Sequence, residues 1–120
     1  MAELQMGVIE SRFADIIWKN EPIATVELVK LGAEVLNWKK TTTYTVLKRL
    51  CEKGIFQTNS SVVTSLLSRD EFYSLQSEKF VEDTFDGSLP AFLAAFTARK
   101  SLTKEEVAEL RRMIADYEEL

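Results

Sequence analysis

Histidine is absent from this 120-residue chain, and cysteine occurs once, at Cys51. Without His there is no His-based acid–base or nucleophilic catalysis, and no zinc site built on imidazole. A single thiol excludes an internal disulfide and a Cys-rich zinc finger. No spaced Asp/Glu loop suggests a bound cation, and the four glycines form no phosphate-cradling loop. No metal, no cofactor and no catalytic activity are therefore expected. No apolar run approaches the length that spans a bilayer, and no basic-then-apolar leader follows Met1. Membrane insertion is not expected, and the expected location is the cytoplasm.

What is present has an ordinary globular balance, 46% apolar and 28% charged. The length suits one small domain with an appendage. The net charge is −4, but it is unevenly spread. Residues 37–53 hold Lys39, Lys40, Lys48, Arg49 and Lys53 against Glu52 alone, a local +4 in a chain that is otherwise acidic. Such a run is either a solvated helix face or a phosphate-binding surface, and its place in the fold decides which.

Along the chain, residues 1–7 read as a loose start. Ile9, Phe13, Ile16 and Ile17 have helical spacing, and Asn20-Glu21-Pro22 breaks that helix. Ile23-Ala24 reads as a short extended link. Thr25 is a plausible N-cap for a second helix to Leu36, supplied by Val26, Leu28, Val29, Leu31 and Val35. After Asn37-Trp38 a third helix runs to Lys53, with Gly54 suited to its left-handed stop. Residues 55–58 and 62–67 lean towards strand around the turn Asn59-Ser60-Ser61, which makes a small hairpin. Ser68 and Glu71 form a capping box for a fourth helix that ends at Asp86-Gly87. Ser88 starts a short fifth helix with Pro90 in its first turn, and Thr103 with Glu106 caps a sixth.

The fold class is thus mainly α with a small β-hairpin. Three helices and a hairpin follow the winged helix-turn-helix order, over residues 1–68. Residues 69–120 form a three-helix C-terminal domain. On the third helix Thr43, Val46, Leu47 and Leu50 share one face, which should pack inward. Thr41, Thr45, Lys48 and Glu52 form the opposite stripe, flanked by Thr42, Arg49 and Tyr44. Lysine and arginine neutralise phosphates, and Thr and Tyr hydroxyls reach phosphate oxygens or base edges. β-Branched threonines are poor helix formers, so their crowding here weakly favours contact over a plain polar face.

These residues carry a resemblance to the penicillinase-repressor family, whose members repress β-lactamase, methicillin-resistance or copper-handling genes. The stretch Ile9-Glu10-Ser11-Arg12-Phe13 through Ile17-Trp18 resembles its first helix, which usually has Trp where Phe13 stands. WKKTTTYTVLKRLCEKG, from Trp38 to Gly54, resembles its recognition helix, with Trp38, Thr42, Thr45, Arg49, Leu50, Lys53 and Gly54 matching. Leu66 through Phe72, Phe85-Asp86-Gly87-Ser88 and Leu102 through Leu110 resemble its C-terminal domain.

The resemblance implies a homodimeric repressor on a palindromic operator in double-stranded DNA. It puts Thr42 among phosphate contacts, Tyr44 and Thr45 at base-reading positions, and Arg49 on a backbone phosphate. With the basic run, the DNA-binding set is Lys39, Lys40, Thr41, Thr42, Tyr44, Thr45, Lys48 and Arg49. Dimerisation is expected through the C-terminal apolar residues Phe72, Phe80, Phe85, Phe92, Phe96, Val107, Leu110, Ile114 and Tyr117. Residues 69–120 cannot bury that much apolar surface alone. The resemblance to β-lactam-responsive members also raises a membrane sensor protease as a further partner of this chain.

Three features depart from the family pattern. Lys39-Lys40 stands where Ser-Pro is usual, which removes the ordinary cap of the recognition helix. Either Asn37 caps instead, or the two lysines grip phosphates. The wing, residues 58–64, is short and uncharged, which moves DNA contact onto the helix. Ala95-Phe96 replaces the Asn-Phe pair at which responsive members are cleaved, and plain core is its simpler reading. A winged-helix protein-interaction module without DNA binding is the alternative function, and it would suit the acidic balance.

Overall fold

The computed structural model describes residues 5–119. The elements run α1 (Val8–Asn20), β1 (Ile23–Ala24), α2 (Thr25–Leu36), α3 (Lys40–Glu52), β2 (Phe56–Asn59), β3 (Val62–Ser65), α4 (Arg69–Phe85), α5 (Leu89–Thr97) and α6 (Lys104–Glu118). This is a winged helix followed by a helical C-terminal region. The chain divides into two compact units after Lys79, within α4.

The first unit owns the hydrophobic core. Phe13 and Ile17 of α1, Leu28 of α2, Leu50 of α3, Ile55, Phe56 and Val63 of the wing and Phe72 of α4 are all essentially inaccessible. Each such side chain contributes roughly 1.5–3 kcal/mol by leaving water. Val26 and Val35, which the helical pattern assigns to the apolar supply of α2, instead face solvent. Of the loose start expected over residues 1–7, residues 1–4 lie outside the described part, and Met6 packs on the core.

The hairpin gains a third strand that the sequence pattern does not reveal. The sheet order is β1-β3-β2, all antiparallel, with Ile23 opposite Val63 and Ala24 opposite Val62. A two-residue strand is too short to show an alternation, so Ile23-Ala24 reads only as a link. This pairing also moves the cap of α2. Thr25 donates its backbone N–H to Ser61 O at 2.9 Å and is itself buried in the helix, so the extended residue at the N-cap is Ala24. Glu21 fixes the turn before β1. Its carboxylate accepts from the Ser65 N–H and hydroxyl of β3, both at 2.8 Å.

Phe72 marks the main correction to the expected C-terminal surface. The apolar pattern assigns it to a dimer interface, but it is fully buried in the first unit, 5.8 Å from the Trp18 ring and 5.1 Å from Tyr73. Trp18 also donates its indole N–H to Leu67 O at 2.9 Å. The start of α4 is therefore stitched to α1, and the first unit extends beyond the boundary expected at residue 68.

The second unit is built differently. Among its described residues none is buried. Phe80, Phe85 and Phe92 meet edge to face at 5.8–6.1 Å, and Phe96 stacks beside Phe92 at 6.2 Å. Capping is tight: Ser88 Oγ accepts from Ala91 N–H, and Thr103 and Glu106 cap α6 reciprocally at 3.0 and 2.9 Å.

Candidate nucleic-acid interface

The turn between α2 and α3 sets the angle at which α3 is presented. Asn37 ends α2 in the left-handed conformation (φ 56°, ψ 38°), where a short amide side chain is tolerated. Its N–H and that of Trp38 both reach back to Gly32 O. Trp38 then anchors on Phe13, with ring centroids 5.0 Å apart. Gly32 lets the helices touch: a Cβ there would lie 2.8 Å from Thr43 Oγ1. Thr43 is almost completely buried at that crossing.

The inward face of α3 is Thr43, Val46, Leu47 and Leu50, as the helical wheel indicates. Lys39, Lys40, Thr41, Thr42, Tyr44, Thr45, Lys48 and Arg49 are all exposed. Of the two ways to start α3, the structure has no room for Asn37, which is spent on stopping α2. Lys39 occupies the N-cap with no side-chain hydrogen bond, and no acidic residue lies in the first turn. The opening amides thus keep their partial positive charge beside two ammonium groups, an arrangement that attracts an anion.

Further along, Lys40 Nζ lies 5.9 Å above the Tyr44 ring. Thr45 donates its hydroxyl proton to Thr41 O at 2.9 Å, so its oxygen lone pairs and methyl group remain to face outward. Lys48 has no ion pair among the described residues.

Two of the five basic residues are held by an acid that sequence spacing cannot connect to them. Glu10 Oε2 of α1 lies 3.7 Å from Arg49 Nη1 and 3.5 Å from Lys53 Nζ. Lys53 also donates to Gln5 O at 2.8 Å and is nearly buried, which makes it a structural cation. Arg49 remains half exposed. Cys51 is structural as well. Burial pushes its thiol above the usual range, and its sulfur lies 3.8 Å from Thr58 Oγ1.

The wing tip is a two-residue turn in which Ser60 and Ser61 both take positive φ, 52° and 63°. That geometry suits hairpin twist but is usually met by Asn-Gly. It offers hydroxyls and no cation. In the second unit Phe80, Phe96, Ile114 and Tyr117 are exposed, while Phe85, Phe92, Val107 and Leu110 are half-buried. Leu89 and Met113 are exposed apolar residues that belong with them and fall outside the expected set. Ala95 and Phe96 are exposed rather than core. No helix among the described residues is long and apolar enough to cross a membrane.

Comparison with known proteins agrees with this geometry. A family model described as "Penicillinase repressor" matches residues 6–116. A penicillinase repressor from Bacillus licheniformis is 25% identical over 117 residues, covering 94% of this chain and 91% of its own.

Proposed function

Because the chain belongs to the penicillinase repressor family, we propose that it is a transcriptional repressor that binds a palindromic operator as a homodimer. The observation that carries this reading is α3. It is packed against the core by one face only, opens without a cap, and shows five exposed cations or aromatics among hydroxyls on the other face. In the major groove Lys39, Lys40, Thr42 and the open amides of the first turn would meet one stretch of phosphate, and Lys48 and Arg49 the next. Tyr44 and Thr45 then face base edges. With its proton engaged by Thr41, Thr45 accepts from cytosine N4 or adenine N6, and its methyl packs on thymine.

The wing plays a small part in this reading, since it carries no cation. The second unit pairs two subunits through the Phe80, Phe85, Phe92 and Phe96 cluster and α6, and the symmetry of the pair matches the palindrome. Repression follows from occupying the operator, and no catalytic step is involved. The protein works where the DNA is, in the cytoplasm.

Titration of duplex DNA over a salt series tests the proposal. Binding that weakens linearly in log–log form, with a slope reporting several phosphates, is the expected result. Absence of duplex binding at low salt would refute it and favour the protein-interaction module.

A further inference from the structure

Glu10 is the acid least explained by the fold. Its Oε1 accepts from Gly7 N–H at 3.2 Å, which ties the carboxylate to the start of α1. Its Oε2 is shielded from solvent and has no hydrogen-bond partner among the described residues, although Arg49 of α3 and Lys53, which caps that helix, both face it. Those two cations are four residues apart, so one carboxylate addresses the C-terminal end of α3. An exposed ion pair contributes little stability, and a shielded carboxylate costs desolvation. The nearly buried pair with Lys53 serves the fold, whereas the pair with half-exposed Arg49 adds little to it and leaves Glu10 free to act on that side chain.

The two cations differ in what they have left to give. Lys53 is only 12% exposed and already donates to Gln5 O. Arg49 is 52% exposed, with its Nη1 3.7 Å from Glu10 Oε2. An arginine carries many rotamers and five donors in a rigid fork. A fixed carboxylate on one edge removes much of the rotamer freedom that a phosphate contact would otherwise have to remove. We propose that Glu10 is a positioning residue for DNA binding, orienting Arg49 towards a backbone phosphate without touching the nucleic acid itself. This rests on the operator-binding reading given above.

A double-mutant cycle on the full chain tests it, using a mixed-sequence duplex at low salt. Glu10→Asp keeps the charge but draws it back by one methylene. Glu10→Gln keeps the Gly7 hydrogen bond through its amide oxygen and removes the charge. Each should weaken binding on the order of threefold to tenfold in the wild-type background and have almost no effect when Arg49→Ala is already present. The salt slope should stay at the wild-type value in both single variants, since the phosphate contact is weakened but not lost. Equal losses in both backgrounds would mean that Glu10 acts only through the fold. Unchanged binding would mean that Arg49 needs no orientation. Tighter binding by Glu10→Gln would mean that Glu10 competes with phosphate. Each of these three results overturns the proposal. If the wild-type protein binds no duplex, the functional reading fails first, and the wild-type titration alone reveals that outcome.

Discussion

At the scale of single residues, the proposed function divides α3 into side chains that would hold DNA and side chains that would read it. Arg49→Ala should weaken binding to every duplex and lower the salt slope by about one, as the loss of one phosphate contact requires. Tyr44→Ala and Thr45→Ala should instead change which sequence is preferred, at roughly 1 kcal/mol per lost base contact. A binding-site selection run on all three variants checks this. Equal, sequence-blind losses would overturn the assignment of Tyr44 and Thr45. The inward and outward residues of α3 are legible in the sequence, because side-chain type and helical period suffice to sort them. The pairing of Glu10 with Arg49 is not, because nothing in the spacing between them signals that α1 and α3 bring them within 3.7 Å.

At the scale of elements, local signals work where a helix carries its own punctuation. The capping boxes at Ser68–Glu71 and Thr103–Glu106 and the amphipathic face of α3 appear as the sequence indicates. The failures, β1 and the cap of α2, depend on pairing with β3, which is distant in sequence. The crossing of α2 and α3 hangs on Gly32. Gly32→Ala would gain about 1 kcal/mol of helix propensity but place a methyl 2.8 Å from Thr43 Oγ1. Overpacking of this kind costs roughly 1–3 kcal/mol, so a net loss of stability is expected. Thr43→Ala opens the space, and the double variant should recover part of the loss in a urea melt. If Gly32→Ala proves stabilising, the close approach is not a constraint.

The caps also set a pH dependence. Glu71 is held below its usual range by the backbone N–H of Ser68 and then by its hydroxyl, and Glu106 likewise by Thr103. A carboxyl depressed in the folded state stabilises it above the unfolded value, and that contribution is lost as pH falls through the folded value. Stability should therefore decline in the acid region at and below the usual glutamate range. Glu71→Gln and Glu106→Gln should each show a shallower decline between pH 6 and pH 3 (about the span that brackets carboxylate titration). An acid decline identical to that of the wild type would remove the caps as its source.

At the scale of the whole molecule, the two units have unequal claims to independence. The first has a closed core of aromatic and aliphatic side chains, and the second has none among its described residues. Tyr117, at 77% exposure, and Ile114, at 58%, lie on α6 with nothing over them. Sedimentation should show a dimer at micromolar concentration. Phe92→Ala, which removes the ring that touches Phe80, Phe85 and Phe96, should loosen it by about a hundredfold or more. A wild-type monomer would contradict this. The dimer would space two α3 helices about one DNA turn apart, roughly 34–36 Å. The acidic remainder of the chain would then oppose loose attachment to arbitrary DNA and leave binding to rest on the local contacts of α3.

The uncapped start of α3 has a consequence for how binding and folding are divided. In the free protein the amides of the first turn have no side-chain acceptor, so they should exchange readily with solvent. On the proposed function, a phosphate seated there would supply the missing acceptor. Securing this turn would thus be left to the ligand, and slowed amide exchange at Lys40, Thr41 and Thr42 on adding duplex would report it.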